Sequence, residues 1–240
     1  MRFIWVHKGT STKRADGERF MSKSKYALLA LTTALLGTSA MAESPWQIRG
    51  RVLGVFPSES ADLSVGGAPL GGDADIDAGY VPELDITYFF SDNIAAELIL
   101  GVTPHDVTAT NVAAVGGANV DLGDVTLLPP TLTLQYHFNN ETNITPYAGV
   151  GLNYTLFFNE NAGPVADDID YDPSFGLALQ AGLDYDLDGE PGGWLFNVDV
   201  KKIWINTDVT VDFTTALGAT VDADVDINPL VVGVGFGYRY

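Results

Sequence analysis

The stretch Leu230-Val231-Val232-Gly233-Val234-Gly235-Phe236-Gly237-Tyr238-Arg239-Tyr240 decides the fold. Taken alternately, Leu230, Val232, Val234, Phe236, Tyr238 and Tyr240 share one face of an extended strand, with Val231, Gly233, Gly235, Gly237 and Arg239 on the other. One face is wholly apolar and ends in aromatic rings. Thr145 to Phe158 repeats the pattern, with Ala148, Val150, Leu152, Tyr154, Leu156 and Phe158 opposite Gly149, Gly151, Asn153 and Thr155. Phe175 to Tyr185 does so again, and Trp46 to Phe56, Gly79 to Phe90, Ile94 to Pro104, Leu127 to Phe138 and Trp194 to Asn206 bring the total to eight strands.

The connections alternate in length. Ser91-Asp92-Asn93, Asn139 to Asn143 and Asp188 to Gly193 are short and rich in turn residues. Residues 57–78, 107–126, 159–174 and 207–223 are long, acidic and rich in Gly, Ala and Asp. An even number of strands with short turns at one end and long loops at the other is the layout of an outer-membrane barrel, turns periplasmic and loops extracellular. Trp46, Phe90, Tyr136, Phe138, Tyr185, Trp194, Tyr238 and Tyr240 fall near the turn end, and Phe56, Tyr80, Phe158, Phe175 and Trp204 near the loop end. A soluble β-sandwich also alternates, but it buries its apolar face and has no reason to rim both ends with aromatics. The predicted fold is therefore all-β: an eight-stranded antiparallel transmembrane β-barrel whose apolar face meets outer-membrane lipid.

Composition agrees. The chain has 240 residues, 46% hydrophobic, with 12 basic and 31 acidic side chains for a net charge of −19. Nucleic acid as a partner needs a cationic face and is excluded; the lack of cysteine removes disulfide frameworks, thiolate nucleophiles and cysteine-ligated metals. From Met21, two lysines, the apolar run YALLALTTALLG and Ala40-Met41-Ala42 make up a secretory signal peptide over 21–42, cleaved before Glu43. Residues 1–20 read as an upstream extension or a start-site artefact, and 43–240 as the barrel, destined for the outer membrane of a Gram-negative cell. Without residues 1–42 the chain keeps five basic residues, Arg49, Arg51, Lys201, Lys202 and Arg239, against 29 acidic ones.

With the apolar face outward, nearly all the strand charges point inward. Arg49, Arg51, Glu83, Asp85, Glu97, Asp199 and Lys201 are expected to form a charged plug in a bore that side chains largely fill, with Arg51 and Asp85 as the first pair. Towards the loop end Leu53, Val55 and Phe157 make the inner wall apolar and are the candidate channel-lining residues. Lys202 falls on the lipid face, where it must snorkel outward or be moved by a bulge.

The motifs Asp92-Asn93-Ile94-Ala95-Ala96-Glu97-Leu98, Leu128-Pro129-Pro130-Thr131-Leu132, Pro146-Tyr147-Ala148-Gly149-Val150-Gly151-Leu152-Asn153-Tyr154-Thr155 with Phe157-Phe158, and the terminal Gly237-Tyr238-Arg239-Tyr240 resemble the OmpW family of outer-membrane proteins over about residues 45–240. The resemblance implies an eight-stranded barrel with a narrow, largely hydrophobic channel, in a family with members linked to uptake of small hydrophobic molecules such as alkanes. It also implies that Tyr240, with Tyr238, is the terminal aromatic signal read by the barrel-assembly machinery. The loops depart from the family pattern in carrying more aspartate.

Chemistry is sparse. His105 reads as a plain loop histidine with no nucleophile at hand, so no catalytic residue is assigned and the chain is not expected to be an enzyme. Asp73-x-Asp75-x-Asp77 begins like a calcium loop, but Ala78 and Leu84 stand where Gly and Glu are required. With Asp167, Asp168, Asp170 and Asp172 it offers at most weak sites for divalent cations. No cofactor is implied. The expectation is a monomeric barrel passing small hydrophobic solutes, with lateral exit into the membrane above the plug. The alternative is a structural or interaction barrel whose acidic loops bind divalent cations or surface partners without transport.

Overall fold

The computed structural model describes residues 44–188 and 192–240; the segments read from the sequence as a signal peptide and as an upstream extension lie outside them. Numbered in chain order among sixteen strands, eight close a barrel: β1 (Trp46–Phe56), β5 (Gly79–Phe89), β6 (Ile94–Gly101), β9 (Thr131–His137), β10 (Ile144–Ala162), β12 (Ser174–Asp186), β13 (Gly193–Ile203) and β16 (Leu230–Arg239). Each pairs antiparallel with the next, and β16 returns to β1, so the ring has no open edge. These are the eight strands that the alternation predicts. The third and fourth differ in detail: the third breaks at Val102, below Pro104, and the fourth breaks at Pro129-Pro130, whose missing N–H groups interrupt the ladder, so that Leu127 and Leu128 end the preceding strand.

Short turns close the lower end through local side-chain bonds. Ser91 Oγ accepts from Ile94 N at 3.2 Å, Asn140 Oδ1 accepts from Thr142 N at 2.8 Å, and Gly192 and Gly193 take left-handed φ values of 98° and 84°. The outer surface between the two aromatic rims is apolar and open, with Val52, Leu132, Val150, Leu177 and Phe236 all more than half exposed. Edge-to-face pairs such as Trp46–Tyr88, Tyr136–Phe138 and Tyr238–Tyr240 build the lower rim. From Trp46 to Phe56 a strand tilted by about 40° rises about 25 Å, the depth of a membrane's apolar band. Lys202 keeps its place on the outer face without a bulge and snorkels upward to donate to the Asn228 carbonyl.

Glycine makes room inside. Gly233, Gly235 and Gly237 of β16 stand beside Leu53, Arg51 and Arg49 of β1. A Cβ on Gly237 would lie 2.8 Å from Arg49 Cγ, and one on Gly233 would lie 2.7 Å from Leu53 Cδ2. The small inner face of β16 is thus the complement of the large one on β1.

Above the barrel, the long segments are stranded rather than irregular. β10 runs on past the rim, and its upper part pairs with β8 (Ala118–Leu128), which pairs with β7 (Thr103–Val112), which pairs with β4 (Asp73–Ile76). A separate sheet has the order β11 (Asp168–Tyr171), β14 (Asn206–Phe213), β15 (Ala219–Asp226), β2 (Ser60–Val65) and β3 (Ala68–Pro69). Val209, Val211, Phe213, Val221, Ala223 and Val225 point into one apolar cluster, while the intervening Asp208, Asp212, Asp222 and Asp224 point out or to the edge.

Candidate functional site

Three storeys share the axis of the barrel. The lowest is a buried network of charges. Arg49 Nη1 lies 2.5 Å from Glu97 Oε1, and its Nη2 lies 2.6 Å from Asp184 Oδ2. Arg51 Nε approaches Glu83 Oε1 at 2.8 Å and Asp85 Oδ2 at 2.7 Å, both off the hydrogen-bonding axis, so that Arg51 Nε and the two Asp85 oxygens form ion pairs without a hydrogen bond. Lys201 Nζ bridges Glu83 at 3.0 Å and Asp199 at 2.9 Å. Tyr147 donates to Asp199 at 2.7 Å, and the Gln135 and Gln180 amides each donate to Glu97 at 2.7 Å. Such charges persist in a dry interior only when paired and hydrogen-bonded, and here nearly every oxygen except those of Asp85 is engaged. The arrangement closes the lumen at this level, above a pocket of about 420 Å³ at the turn end that reaches Gln47, His137 and Asp184. Asp184, facing inward on β12, is the main partner of Arg49 that the sequence plug omits.

The middle storey is a neck. Leu53 and Val55 join Ile99, Leu127, Ile203 and Ile227 around a cavity of about 50 Å³, floored by Glu83 and Lys201. Only one or two waters fit in such a volume, so a larger solute enters the neck only where its walls move apart. Phe157 lies apart, half-buried and stacked on Tyr171 at 5.3 Å, and does not line this cavity. His105 does line it. It is not the plain loop histidine expected but a buried one, its Nδ1 2.9 Å from the Asp77 carbonyl. It stands just above the rim marked by Tyr80, and loss of solvent holds its imidazole below the ordinary histidine pKa.

At the same level the barrel wall is incompletely laddered. β6 pairs with β9 up to Ile99 and Thr131, and β7 with β8 from Thr103 and Leu127. Between these, Leu100, Gly101 and Val102 face Leu128, Pro129 and Pro130 without a ladder pair, and the prolines have no N–H to give. Pro130 turns its carbonyl instead to Tyr154 N at 3.0 Å.

The top storey is a chamber of about 460 Å³ between the two extracellular sheets, lined by aliphatic residues such as Leu63, Ala109, Leu122, Val211 and Ala223, with Phe213. The acidic runs do not gather as metal sites: among the described residues no group of three or more candidate ligands comes together. Asp73 Oδ1 accepts from Ala61 N and Ala74 N at 2.8 and 2.9 Å, Asp168 Oδ1 from Ile169 N at 3.0 Å, and Asp167 Oδ2 from Thr215 N at 2.7 Å. These carboxylates hold loop backbone in place. At the opposite end of the barrel, Tyr240 N donates to the Trp46 carbonyl at 3.0 Å, and Tyr238 packs edge-on against Trp194.

The model of the OmpW family matches residues 42–240. The chain is 45% identical over 197 residues to an uncharacterised outer-membrane protein, y4mB, of Sinorhizobium fredii, a match covering 82% of this chain and 80% of that one. It is 29% identical over 201 residues to the dibenzothiophene metabolism operon protein PahQ of Pseudomonas aeruginosa, covering 82% and 90%. The crystal structure of the outer membrane protein OprG from Pseudomonas aeruginosa superposes with a TM-score of 0.74 at 32% identity, covering 81% of this chain and 95% of that one.

Proposed function

This chain belongs to the OmpW family and is an outer-membrane β-barrel; from that premise we propose that it is a passive conduit for small hydrophobic molecules, which enter the extracellular chamber and leave sideways into the membrane. The observation that carries the reading is the order of the three storeys. A single apolar cluster runs from the chamber to the neck and stops on a filled layer of charges, so an apolar solute has a favourable surface to follow and no axial way out. The unladdered stretch at Gly101 and Pro129 lies on the lining of the neck, where separating the strands breaks no ladder hydrogen bonds. The name of PahQ, which ties that relative to dibenzothiophene metabolism, accords with an apolar aromatic solute for at least part of the family. No step is covalent and no cofactor is called for. Tyr238 and Tyr240, placed in the lower rim, suit recognition by the barrel-assembly machinery, and an outer face suited throughout to lipid supports a monomer.

The test is entry of a neutral apolar fluorophore into vesicles whose outer leaflet is lipopolysaccharide, which slows passage through the lipid itself. Filling the chamber with Ala109→Phe and Ala223→Phe is expected to cut the barrel-dependent rate severalfold. An unchanged rate in a correctly folded double variant overturns the route.

A further inference from the structure

Charge around the chamber is one-sided. From Val52 to Val200 and from Ile203 to Tyr238 the chain has no lysine or arginine. The segments above the barrel, 57–78, 103–127, 159–173 and 204–229, hold eighteen acidic residues and no basic one. The cations sit elsewhere: Arg49, Arg51 and Lys201 are spent on the lumen network, Lys202 on the Asn228 carbonyl, and Arg239 lies over the Phe89 ring near the turns. Among the described residues, the charged side chains that border the chamber are Asp73 and Asp121, both at its solvent-exposed edge. Each is fixed by backbone, Asp73 through Ala61 N and Ala74 N, and Asp121 through Gly123 N at 2.9 Å. A solute in the chamber therefore lies within a Debye length of fixed negative charge, with no positive group to receive an anionic head.

We propose that the chamber selects by head-group charge: it takes a single aliphatic chain whose head is uncharged, a hydrocarbon or long-chain alcohol, and turns away the corresponding carboxylate. The proposal rests on the reading of the chamber as the receiving site and adds to it the class of solute. The volume of about 460 Å³ corresponds to some fifteen water-sized units, at about 30 Å³ each, the scale of a decyl or dodecyl chain. The lining is almost entirely aliphatic, which offers contact without directional partners. The same chain ending in a carboxylate brings a negative head towards Asp73 and Asp121. Repulsion from two fixed like charges across a solvent-rich gap is expected to disfavour it on the order of tenfold at low salt.

The experiment displaces N-phenyl-1-naphthylamine, a neutral fluorescent probe, from the barrel in phosphatidylcholine nanodiscs. The competitors are dodecanol, dodecanoate and dodecyltrimethylammonium at about pH 8, where the fatty acid is ionised. Each is corrected for partition into protein-free nanodiscs. At about 20 mM salt, dodecanoate is expected to need on the order of tenfold more to displace the probe than dodecanol, with the trimethylammonium not disfavoured. The cation controls for the general cost of taking any charged head from water. Raising the salt to about 0.5 M should bring dodecanoate to within about threefold of dodecanol. The isosteric Asp73→Asn and Asp121→Asn double variant, which keeps an oxygen to accept the backbone N–H groups, should narrow the gap at low salt. Equal displacement by dodecanol and dodecanoate overturns the charge selection while leaving the chamber as a binding site. A gap that neither salt nor the double variant narrows overturns it as well. No displacement by any of the three overturns the chamber itself and the transport reading with it.

Discussion

Arg49 sets the terms at the scale of single residues. It is the cation between Glu97 and Asp184; without it Asp184 stays buried with its guanidinium gone, and Glu97 keeps as its only cation Arg51 Nη2 at 3.8 Å. Arg49→Ala is expected to destabilise the barrel by about 3–5 kcal/mol, because an uncompensated buried charge costs more than the pair contributes. Urea unfolding in lipid, followed by tryptophan fluorescence, measures it. Arg49→Lys should recover only part of the loss, since an ammonium cannot match the forked contact of Nε and Nη2 with Asp184. On the facing strand, Gly235→Val should cost about 1–3 kcal/mol or more by overpacking, because a Cβ there overlaps the Gly50 carbonyl and crowds Arg51. That Arg49, Arg51, Glu83 and Asp85 face inward was legible, because a period of two assigns faces without ambiguity. Which partner Arg49 would find was not. Asp184 lies 135 positions along the chain, and strand periodicity fixes a side chain's face but not its reach across a lumen.

Among the elements, β14 and β15 teach the most. Val221-Asp222-Ala223-Asp224-Val225-Asp226-Ile227 alternates as strictly as the C-terminal strand, but aspartate dominates its composition, and the segment reads as an acidic loop. The alternation was there to be used: its apolar half faces the chamber and its acidic half faces out. The eight barrel strands were easier because their outer half is an almost wholly apolar row, mostly of large side chains, which marks a strand whatever the inner half carries. β7 raises a different point through His105. Its folded form holds the imidazole neutral, so the unfolded chain binds the proton first as the pH falls through about 6.5, the ordinary histidine value. Stability of the extracellular sheets is then fully present above that pH and declines below it. Limited proteolysis of the extracellular sheets should quicken as the pH falls from about 7.5 to about 5 in the natural chain. In His105→Gln, which can still donate to the Asp77 carbonyl, this acid-dependent increase should be absent.

At the scale of the whole molecule, the proposed apolar route is separate from any path for ions. An open barrel passes ions wherever it passes solutes, because water fills both paths. Here the charges of five strands, β1, β5, β6, β12 and β13, meet on the axis below a neck of about 50 Å³, while the apolar surface ends above them at a wall that lacks a stretch of ladder. The sequence alone names the residues of the plug but not whether they leave a bore, since closure depends on how far three long cations reach across the barrel from two strands. With the network in place, planar bilayers holding the refolded protein should show no resolvable single-channel steps at neutral pH, under conditions where vesicles with the same protein admit the apolar fluorophore. Truncating the cations on both sides, Arg49→Ala with Lys201→Ala, should loosen the floor and let ions through in whatever fraction still folds. Discrete conductance in the natural protein that a dodecyl chain blocks would mean that solute and ions share one axial path, and the sideways exit would have to be abandoned. Apolar entry without conductance is what a closed floor and an open wall require together, because neither feature alone separates the two.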